Sequence, residues 1–296
     1  MSFLDRVREA NRHDPAHFRP FYVAGQHLGF VKHGFAETLS RWPEVFRVNS
    51  QGVWLHQDLD RAPDPVAARS AALRAVLAEL RAAGRVPGWR DEEYPINAAF
   101  HEAPLLTLER AAVPLFGVPG YGVHLNGYVC RGDELYLWVG KRSMSKPTDP
   151  GKLDQVVAGG QPVGLGLFDN MVKECQEEAG IPEVLARRVR PVGAIGYCLE
   201  TEQGLRPDVI YCFDLELPED FTPVNVDGEV EGFYLWPIEQ VIETVRDSDA
   251  FKFNCALVVI DFLIRHGCIA PEHPEYLALQ AGLRDRGLWS RALGRA

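Results

Sequence analysis

The sequence predicts an α+β protein with two domains. A length of 296 residues suits two domains of about 150 residues each. Both halves alternate short strand patterns with amphipathic helical patterns, and no internal repeat is visible. The stretch 114–122, "PLFGVPGYG", is dense in Gly and Pro, which is typical of a junction. We therefore predict a smaller α+β N-terminal domain over 1–115 and a second α+β domain over 116–296.

The N-terminal domain is predicted to combine three helices with two strand pairs. Pro65 lies near the start of the longest helical pattern and Gly84 lies just beyond its end, which are the positions that these residues favour. A turn that contains Gly separates the two strands of each pair. The predicted elements are a helix in 1–13, a strand pair in 18–31, a helix over 34–43, a hairpin over 45–56 and a helix over 64–84.

Strands and helices also alternate in the second domain, which includes one tight strand–loop–helix unit. The predicted strands cover 123–130, 134–142, about 153–159, 190–200, 208–217 and 232–237. The predicted helices cover about 168–179, 237–246, about 251–265 and 272–293. A Gly-rich loop joins the strand at 153–159 to the helix at 168–179, so that the residues of this unit are expected to lie close together.

Composition and charge exclude several classes of function. A formal net charge of −10 argues against nucleic-acid binding, which needs a basic surface. The apolar runs are too short to span a bilayer, and the N-terminus lacks the apolar segment of a signal peptide. The six cysteines show no CxxC spacing, as is typical of reduced thiols in the cytosol. We predict a cytoplasmic protein that binds neither nucleic acid nor membranes.

The charges of the second domain are unevenly distributed. Residues 200–247 contain thirteen acidic and two basic residues, whereas 141–152 contains four basic residues and one acidic residue. An acidic cluster and a basic loop in one domain suit a phosphate substrate bridged by a metal ion. Ordinary solvated surfaces would produce the same pattern, so charge alone leaves both interpretations open.

The helix at about 168–179 carries three glutamates that its own stability does not explain. Glu174, Glu177 and Glu178 lie on adjacent turns, and like charges at i, i+3 and i+4 repel each other. A divalent cation would offset this repulsion, and ligation by oxygen atoms alone suits Mg²⁺ or Mn²⁺. For the glutamates taken by themselves, the alternative is an acidic face in solvent.

The residues around this helix resemble the Nudix box, whose pattern is G-x5-E-x7-R-E-U-x-E-E-x-G-U with U apolar. The matching stretch, "GGQPVGLGLFDNMVKECQEEAGI", begins at Gly159-Gly160, and its last glycine is Gly180. Two positions depart from the pattern. Leu165 stands where the box has its first glutamate, and Lys173 replaces the arginine, which keeps the positive charge but loses the bidentate fork.

This resemblance implies a Nudix hydrolase, with an α/β/α sandwich built on a mixed sheet. Enzymes of this family cleave a diphosphate that is linked to a variable group, by attack of water on phosphorus. The resemblance implies that Glu174, Glu177 and Glu178 bind Mg²⁺ or Mn²⁺, and that Glu177 binds the metal or orients the water. The expected partner is a small-molecule diphosphate, and a homodimer stays open.

A later acidic segment supplies a further candidate for the site. In the family, a carboxylate from a later loop often completes the site, and "VDGEVEGFYLWP" (226–237) resembles that segment. We prefer Glu229 to Glu231 as a metal ligand or general base. A solvated acidic turn is the alternative.

Basic residues are the candidates for binding the substrate. Lys141, Arg142 and Lys152 are predicted to hold the phosphate that the metal does not contact, unless they form an ordinary basic loop. Lys252 and Asn254 are polar residues at the start of an otherwise apolar helix, and they are further candidates for contact with the substrate.

Segments outside the box narrow the resemblance to one Nudix subgroup. "FRPFYVAGQHLGFV", "WPEVF" and "FKFNCALVVIDFLIRHGCI" resemble the fungal Nudix domains associated with thiamin pyrophosphokinase and their plant relatives. This implies hydrolysis of thiamin diphosphate, or preferentially of its oxidised and damaged analogues, to the monophosphate. The alternatives are a nucleotide-sugar or ADP-ribose diphosphatase and a non-catalytic Nudix-fold binding or regulatory module. The N-terminal domain is expected to cover the pocket, to mediate dimerisation or to stabilise its neighbour.

Overall fold

A four-stranded sheet and one long helix are the main elements of the first hundred residues. The structure, a computed structural model, describes residues 2–146 and 148–285. The helices and strands up to residue 116 are α1 (Phe3–Ala10), β1 (Phe18–Val23), β2 (Gln26–Lys32), α2 (His33–Leu39), β3 (Phe46–Asn49), β4 (Gly52–Leu55), α3 (Pro65–Ala82), β5 (Glu93–Ile96), β6 (Leu106–Glu109) and α4 (Val113–Phe116). The sheet has the order β2-β1-β4-β3, and β1 and β4 are parallel.

Helix α3 forms where the sequence predicts it, and its ends show why. The side chain of Asp64 accepts a hydrogen bond from the backbone N–H of Ala67 at 3.0 Å, which caps the helix directly before its first residue, Pro65. Beyond the other end, Gly84 has φ of +69°, a left-handed conformation that favours glycine. The β5–β6 hairpin was not predicted, because Pro95 weakens the strand pattern in a segment that pairs along one edge only.

The second half of the chain is built on a larger mixed sheet. Its elements are β7 (Tyr121–Arg131), β8 (Glu134–Arg142), β9 (Leu153–Gln155), β10 (Val157–Gly160), α5 (Leu167–Ala179), α6 (Glu183–Ala186), β11 (Arg190–Gly196), β12 (Leu199–Glu200), β13 (Leu205–Arg206), β14 (Val209–Glu216), β15 (Val230–Pro237), α7 (Ile238–Asp247), α8 (Phe253–Arg265) and α9 (Tyr276–Gly282). The central order is β11-β14-β7-β8-β15, with β10 beside β7 and β9 beside β8. The strands β7 and β14 are parallel and the other pairs are antiparallel.

Side chains that alternate along the strands place helices on both faces of this sheet. In β8, Leu137 and Val139 belong to the core that includes α7 and α8, whereas Trp138 between them belongs to the core under α5. Helix α5 therefore lies on one face and α8 on the other. This confirms the predicted α+β class and the α/β/α sandwich with a mixed sheet.

Most predicted elements of the second domain are found with small shifts at their ends. The strand predicted near 153–159 is divided into β9 and β10, which pair with different neighbours. The helix predicted over 272–293 is shorter than expected, because among the described residues only α9 (Tyr276–Gly282) is helical; residues 286–293 lie outside the described part of the chain. Among the described residues, no helix combines the length and the apolar character that crossing a membrane requires.

The first helix packs against the second half of the chain. Phe3 and Val7 belong to the apolar core of α7 and α8, and the side chain of Arg6 donates to the carbonyl of Val245 at 3.2 Å. The boundary between 115 and 116 stays a prediction.

Candidate functional site

Helix α5 presents two of its glutamates to strand β10. Met171, Cys175 and Ala179 are fully buried and fix the rotation of the helix against the sheet. Gly180 ends the helix in a left-handed conformation, with φ of +61°. With this rotation, Glu174 and Glu178 face the strand, one turn apart.

Both glutamates touch the backbone of β10. One carboxylate oxygen of Glu178 accepts a hydrogen bond from the N–H of Ala158 at 2.8 Å. Glu174 lies directly on Gly159, because a Cβ built there would stand 2.4 Å from the Cδ of Glu174. The first glycine of the box therefore leaves room for Glu174, because any side chain at 159 would displace this glutamate.

Three carboxylates from two distant segments meet beside the helix. Oxygen atoms of Glu178, Asp227 and Glu229 lie within 4.8 Å of one another. A turn holds the last two, because the N–H of Glu229 donates to Asp227 at 2.8 Å and Gly228 adopts φ of +79°. The structure thus brings Glu229 to the helix, and it adds Asp227, which the sequence analysis missed.

The carboxylates of this cluster differ in their charge environment. Burial raises the pKa of Glu178 well above its ordinary value, and no basic side chain in the described part of the chain forms an ion pair with it. Burial would also raise the pKa of Glu229, but an ion pair with Lys146 lowers it. The structure therefore holds Glu229 ionised, whereas Glu178 lacks a positive partner.

The chemistry of this donor set fits a divalent cation. All the ligand atoms are carboxylate oxygens, as Mg²⁺ and Mn²⁺ prefer. A carboxylate that is buried without a cation is costly, and a bound ion would remove that cost. Glu178, Asp227 and Glu229 could hold such an ion, with Glu174 adjacent on the same helix.

Glu177 occupies a different position from the other two glutamates. Its side chain is 54% exposed, compared with 15% for Glu174, and it forms an ion pair with Lys173 at 2.5 Å. The same Lys173 ammonium lies 3.5 Å from Glu174. Lys173 therefore has two carboxylate partners on its own helix. It does not need a further carboxylate at position 165, where the box has a glutamate and this chain has Leu165. The metal-binding role of Glu177 stays a prediction.

The three predicted phosphate-binding residues are engaged elsewhere. None of them lines the cleft beside β10, and each forms an ion pair with a carboxylate. The pairs are Lys141 with Glu231 at 2.9 Å, Arg142 with Asp154 at 2.7 Å and Lys152 with Asp249 at 3.0 Å.

A cleft of about 630 Å³ opens beside β10. Residues from the segment 87–114 form one wall, and residues from the second half of the chain, including Gly159 and Gly160, form the other. Lys252 and Asn254 line this cleft, as expected for contact with a substrate. The cleft also carries three arginines that the sequence analysis missed, since no local motif marks them: Arg90, Arg110 and Arg206.

A buried polar network supports the floor of the cleft. His124 lines the cleft, and its Nδ1 lies 2.7 Å from the side-chain oxygen of Gln155. Next to it, the Sγ of Cys255 donates to Asp154 at 2.7 Å, and Arg142 balances the charge of that carboxylate. The ion pair between Arg142 and Asp154 therefore stabilises the residues under the cleft. It also leaves no free guanidinium at Arg142 for a phosphate.

We expect His124 to make the fold sensitive to mild acid. Burial lowers the pKa of His124 to about 4, below the value of ~6.5 in an unfolded chain. Between these values the unfolded chain binds a proton that the folded protein excludes, so that stability falls as the pH falls from ~6.5 towards 4, by about 3 kcal/mol in total. Urea unfolding between pH 7 and 4.5 measures this loss. The His124→Gln variant should lose less stability over that range, whereas the exposed control His101→Gln should follow the wild type; parallel curves for all three proteins would contradict the assignment.

Comparisons with known proteins found matches to both parts of the chain. Residues 2–120 match a family model described as a domain of unknown function (DUF4743). Nudix hydrolase 24, chloroplastic, from Arabidopsis thaliana is 44% identical over 287 residues, which cover 96% of this chain and 78% of that protein. Nudix hydrolase 20, chloroplastic, from the same plant is 43% identical over 295 residues, with coverage of 96% and 78%. The Nudix domain of NrtR from Shewanella oneidensis, solved with ADP ribose, has a TM-score of 0.41 at 13% identity and covers 51% of this chain and 90% of that chain.

These relatives contradict the predicted cytoplasmic location. Both Arabidopsis proteins are chloroplastic by name, and each matches nearly the whole chain. The prediction was wrong because it depended on composition and cysteine spacing, which describe a folded domain and not the separate segment that directs a protein to an organelle.

Proposed function

This chain belongs to the Nudix hydrolase family, and on that premise we propose that it hydrolyses thiamin diphosphate, or its oxidised and damaged analogues, to the monophosphate. The family is one of enzymes that hydrolyse diphosphates, generally with a divalent metal ion. The observation that carries the proposal is the carboxylate cluster of Glu178, Asp227 and Glu229 beside a cleft with basic and aromatic walls.

The size and lining of the cleft support a small organic diphosphate as the substrate. A volume of about 630 Å³ suits a small molecule. Tyr94 and Tyr121 lie along it, and aromatic side chains favour a planar ring. Glu202 adds negative charge, which complements a cationic heterocycle such as the thiazolium of thiamin, whereas the charge of Asp208 is paired with Arg206.

The chain's own residues have separable tasks in this reaction. Glu178, Asp227 and Glu229, with Glu174 beside them, would hold a divalent ion, which neutralises phosphate charge and lowers the pKa of water. Lys146 holds Glu229 ionised, and an ionised Glu229 would accept the proton of the attacking water. Attack on phosphorus forms one P–O bond and breaks a bridging P–O bond, which releases the monophosphate and inorganic phosphate.

A panel of diphosphates tests this proposal. Thiamin diphosphate, oxothiamin diphosphate, ADP-ribose and UDP-glucose are each incubated with the protein and Mg²⁺ or Mn²⁺, and the products are separated by chromatography. We expect kcat/KM for the thiamin compounds to exceed that of the others by about tenfold or more. A preference for ADP-ribose or UDP-glucose would favour the nucleotide diphosphatase instead. Binding of a diphosphate without turnover of any substrate would favour a non-catalytic module.

A further inference from the structure

The segment 87–114 reaches the loop that carries the Nudix glycines. A Cβ built on Gly160 would stand 1.6 Å from the hydroxyl oxygen of Tyr94 and 3.5 Å from the guanidinium carbon of Arg110. Gly160 follows Gly159, on which Glu174 lies. Two side chains from the N-terminal part of the molecule are therefore packed against the metal-site strand.

Arg110 is held in place by two neighbours. Its Nη1 donates to the carboxylate of Glu92 at 2.9 Å, and its guanidinium lies 5.5 Å from the centre of the Tyr94 ring. Burial raises the pKa of Tyr94 to about 12, so that this neighbour is a neutral phenol. A guanidinium has five N–H donors, and Glu92 accepts from one nitrogen, which leaves donors that are not used in this ion pair.

Arg110 lies among other basic side chains of the cleft. Arg90, Arg206 and Lys252 also line it, and Arg206 is paired with Asp208 at 2.9 Å. Arg110 packs near Gly160, the residue after the glycine on which Glu174 lies, so that it is close to the strand that carries the metal site. A diphosphate that lies between the carboxylate-bound ion and this arginine would have both of its ends neutralised.

We propose that Arg110 binds a phosphate group of the substrate, so that the N-terminal part of the chain supplies one of the cations of this cleft. This inference rests on the proposed function and deepens it. It also gives a task to the domain of unknown function that matches residues 2–120. Planar, bidentate contact with a phosphate is what a held guanidinium does best.

Binding of inorganic diphosphate without metal provides the direct test. Isothermal titration calorimetry, in a buffer that contains a metal chelator, compares the binding of inorganic diphosphate to four proteins. They are the wild type, Arg110→Ala, Arg110→Gln and Arg110→Lys. We expect the Ala and Gln variants to bind about 10- to 100-fold more weakly, and the Lys variant to recover part of that loss. The control is Arg61→Ala, which removes an exposed arginine of the same region that pairs with Asp58 at 2.7 Å; its binding should equal that of the wild type.

Steady-state kinetics on the preferred diphosphate give a second readout. The Ala and Gln variants should raise KM by a factor similar to the loss in diphosphate affinity, with a smaller change in kcat. A folded Ala or Gln variant with unchanged affinity and unchanged KM would overturn the inference, as would equal losses in the Arg61→Ala control. The Gln variant keeps the length and polarity of the side chain and serves if the Ala variant does not fold. If the wild type turns over no diphosphate, the proposed function fails, while the titration still decides the role of Arg110.

Discussion

The Glu178→Gln substitution is expected to lower kcat by about 10³-fold while the protein stays folded. The carboxylate of Glu178 is partly buried and has no basic partner among the described residues, so that a divalent ion is the partner it fits. A glutamine keeps the acceptor for the N–H of Ala158 but removes the negative charge. An effect of this size is what the loss of one preorganised electrostatic contact produces.

Turnover and stability together test this prediction. Because the pKa of Glu178 is raised in the folded protein, the folded state holds its proton more tightly than the unfolded chain, and ionisation as the pH rises costs stability. The metal-free variant should therefore melt no lower than the metal-free wild type at pH 8, and addition of Mg²⁺ should stabilise the wild type more than the variant.

A matched control distinguishes this effect from a general loss of charge. Glu183→Gln removes an exposed glutamate on the neighbouring short helix, where it pairs with Arg187 at 2.7 Å. Its kcat and its response to Mg²⁺ should equal those of the wild type. If Glu178→Gln retained a tenth or more of the wild-type kcat, the carboxylate cluster could not be the metal site.

The Gly159→Ala substitution is expected to lower kcat/KM by about 10²-fold. The added methyl group would stand 2.4 Å from the Cδ of Glu174, and a contact that short forces this side chain away from β10. A displacement of about 1 Å in a reacting group is enough for a loss of this order. The backbone itself is not strained by Ala, because Gly159 is not in a left-handed conformation.

The effect of Gly159→Ala should be confined to the site. The control is Gly34→Ala in α2, where a Cβ meets nothing within 4 Å. Kinetic assays and thermal melts of both variants, with and without Mg²⁺, separate a displaced ligand from a damaged fold. Full activity of the folded Gly159→Ala protein would show that Glu174 can leave β10 without consequence, and it would remove Glu174 from the site.

Local periodicity made much of the fold predictable. Helices α3 and α5 were predicted to within about two residues, because their apolar spacing, the Pro at the start of α3 and the glycines beyond both helices act over a few residues. The β5–β6 hairpin was missed because its strands are short and one contains Pro95. Its pairing joins segments that lie ten residues or more apart, which no local pattern reports.

Long-range packing accounts for the missed members of the site. Lys146 pairs with Glu229 across 83 positions of sequence, and no local signal links them. Arg110 belongs to a different part of the chain from the glutamates of α5. Conversely, Arg142 looked like a phosphate-binding residue in a basic loop, but the buried Asp154 lies within reach and forms an ion pair with it.

The sequence by itself determined which glutamates share one helix, since 3.6 residues per turn and the apolar positions of α5 are local properties. The tertiary structure alone decided that Glu174 and Glu178 face β10 whereas Glu177 faces solvent, and that Asp227 and Glu229 join them. It also decided which cations face the cleft. Such contacts depend on how distant segments pack, because burial and charge pairing act through space and not along the chain.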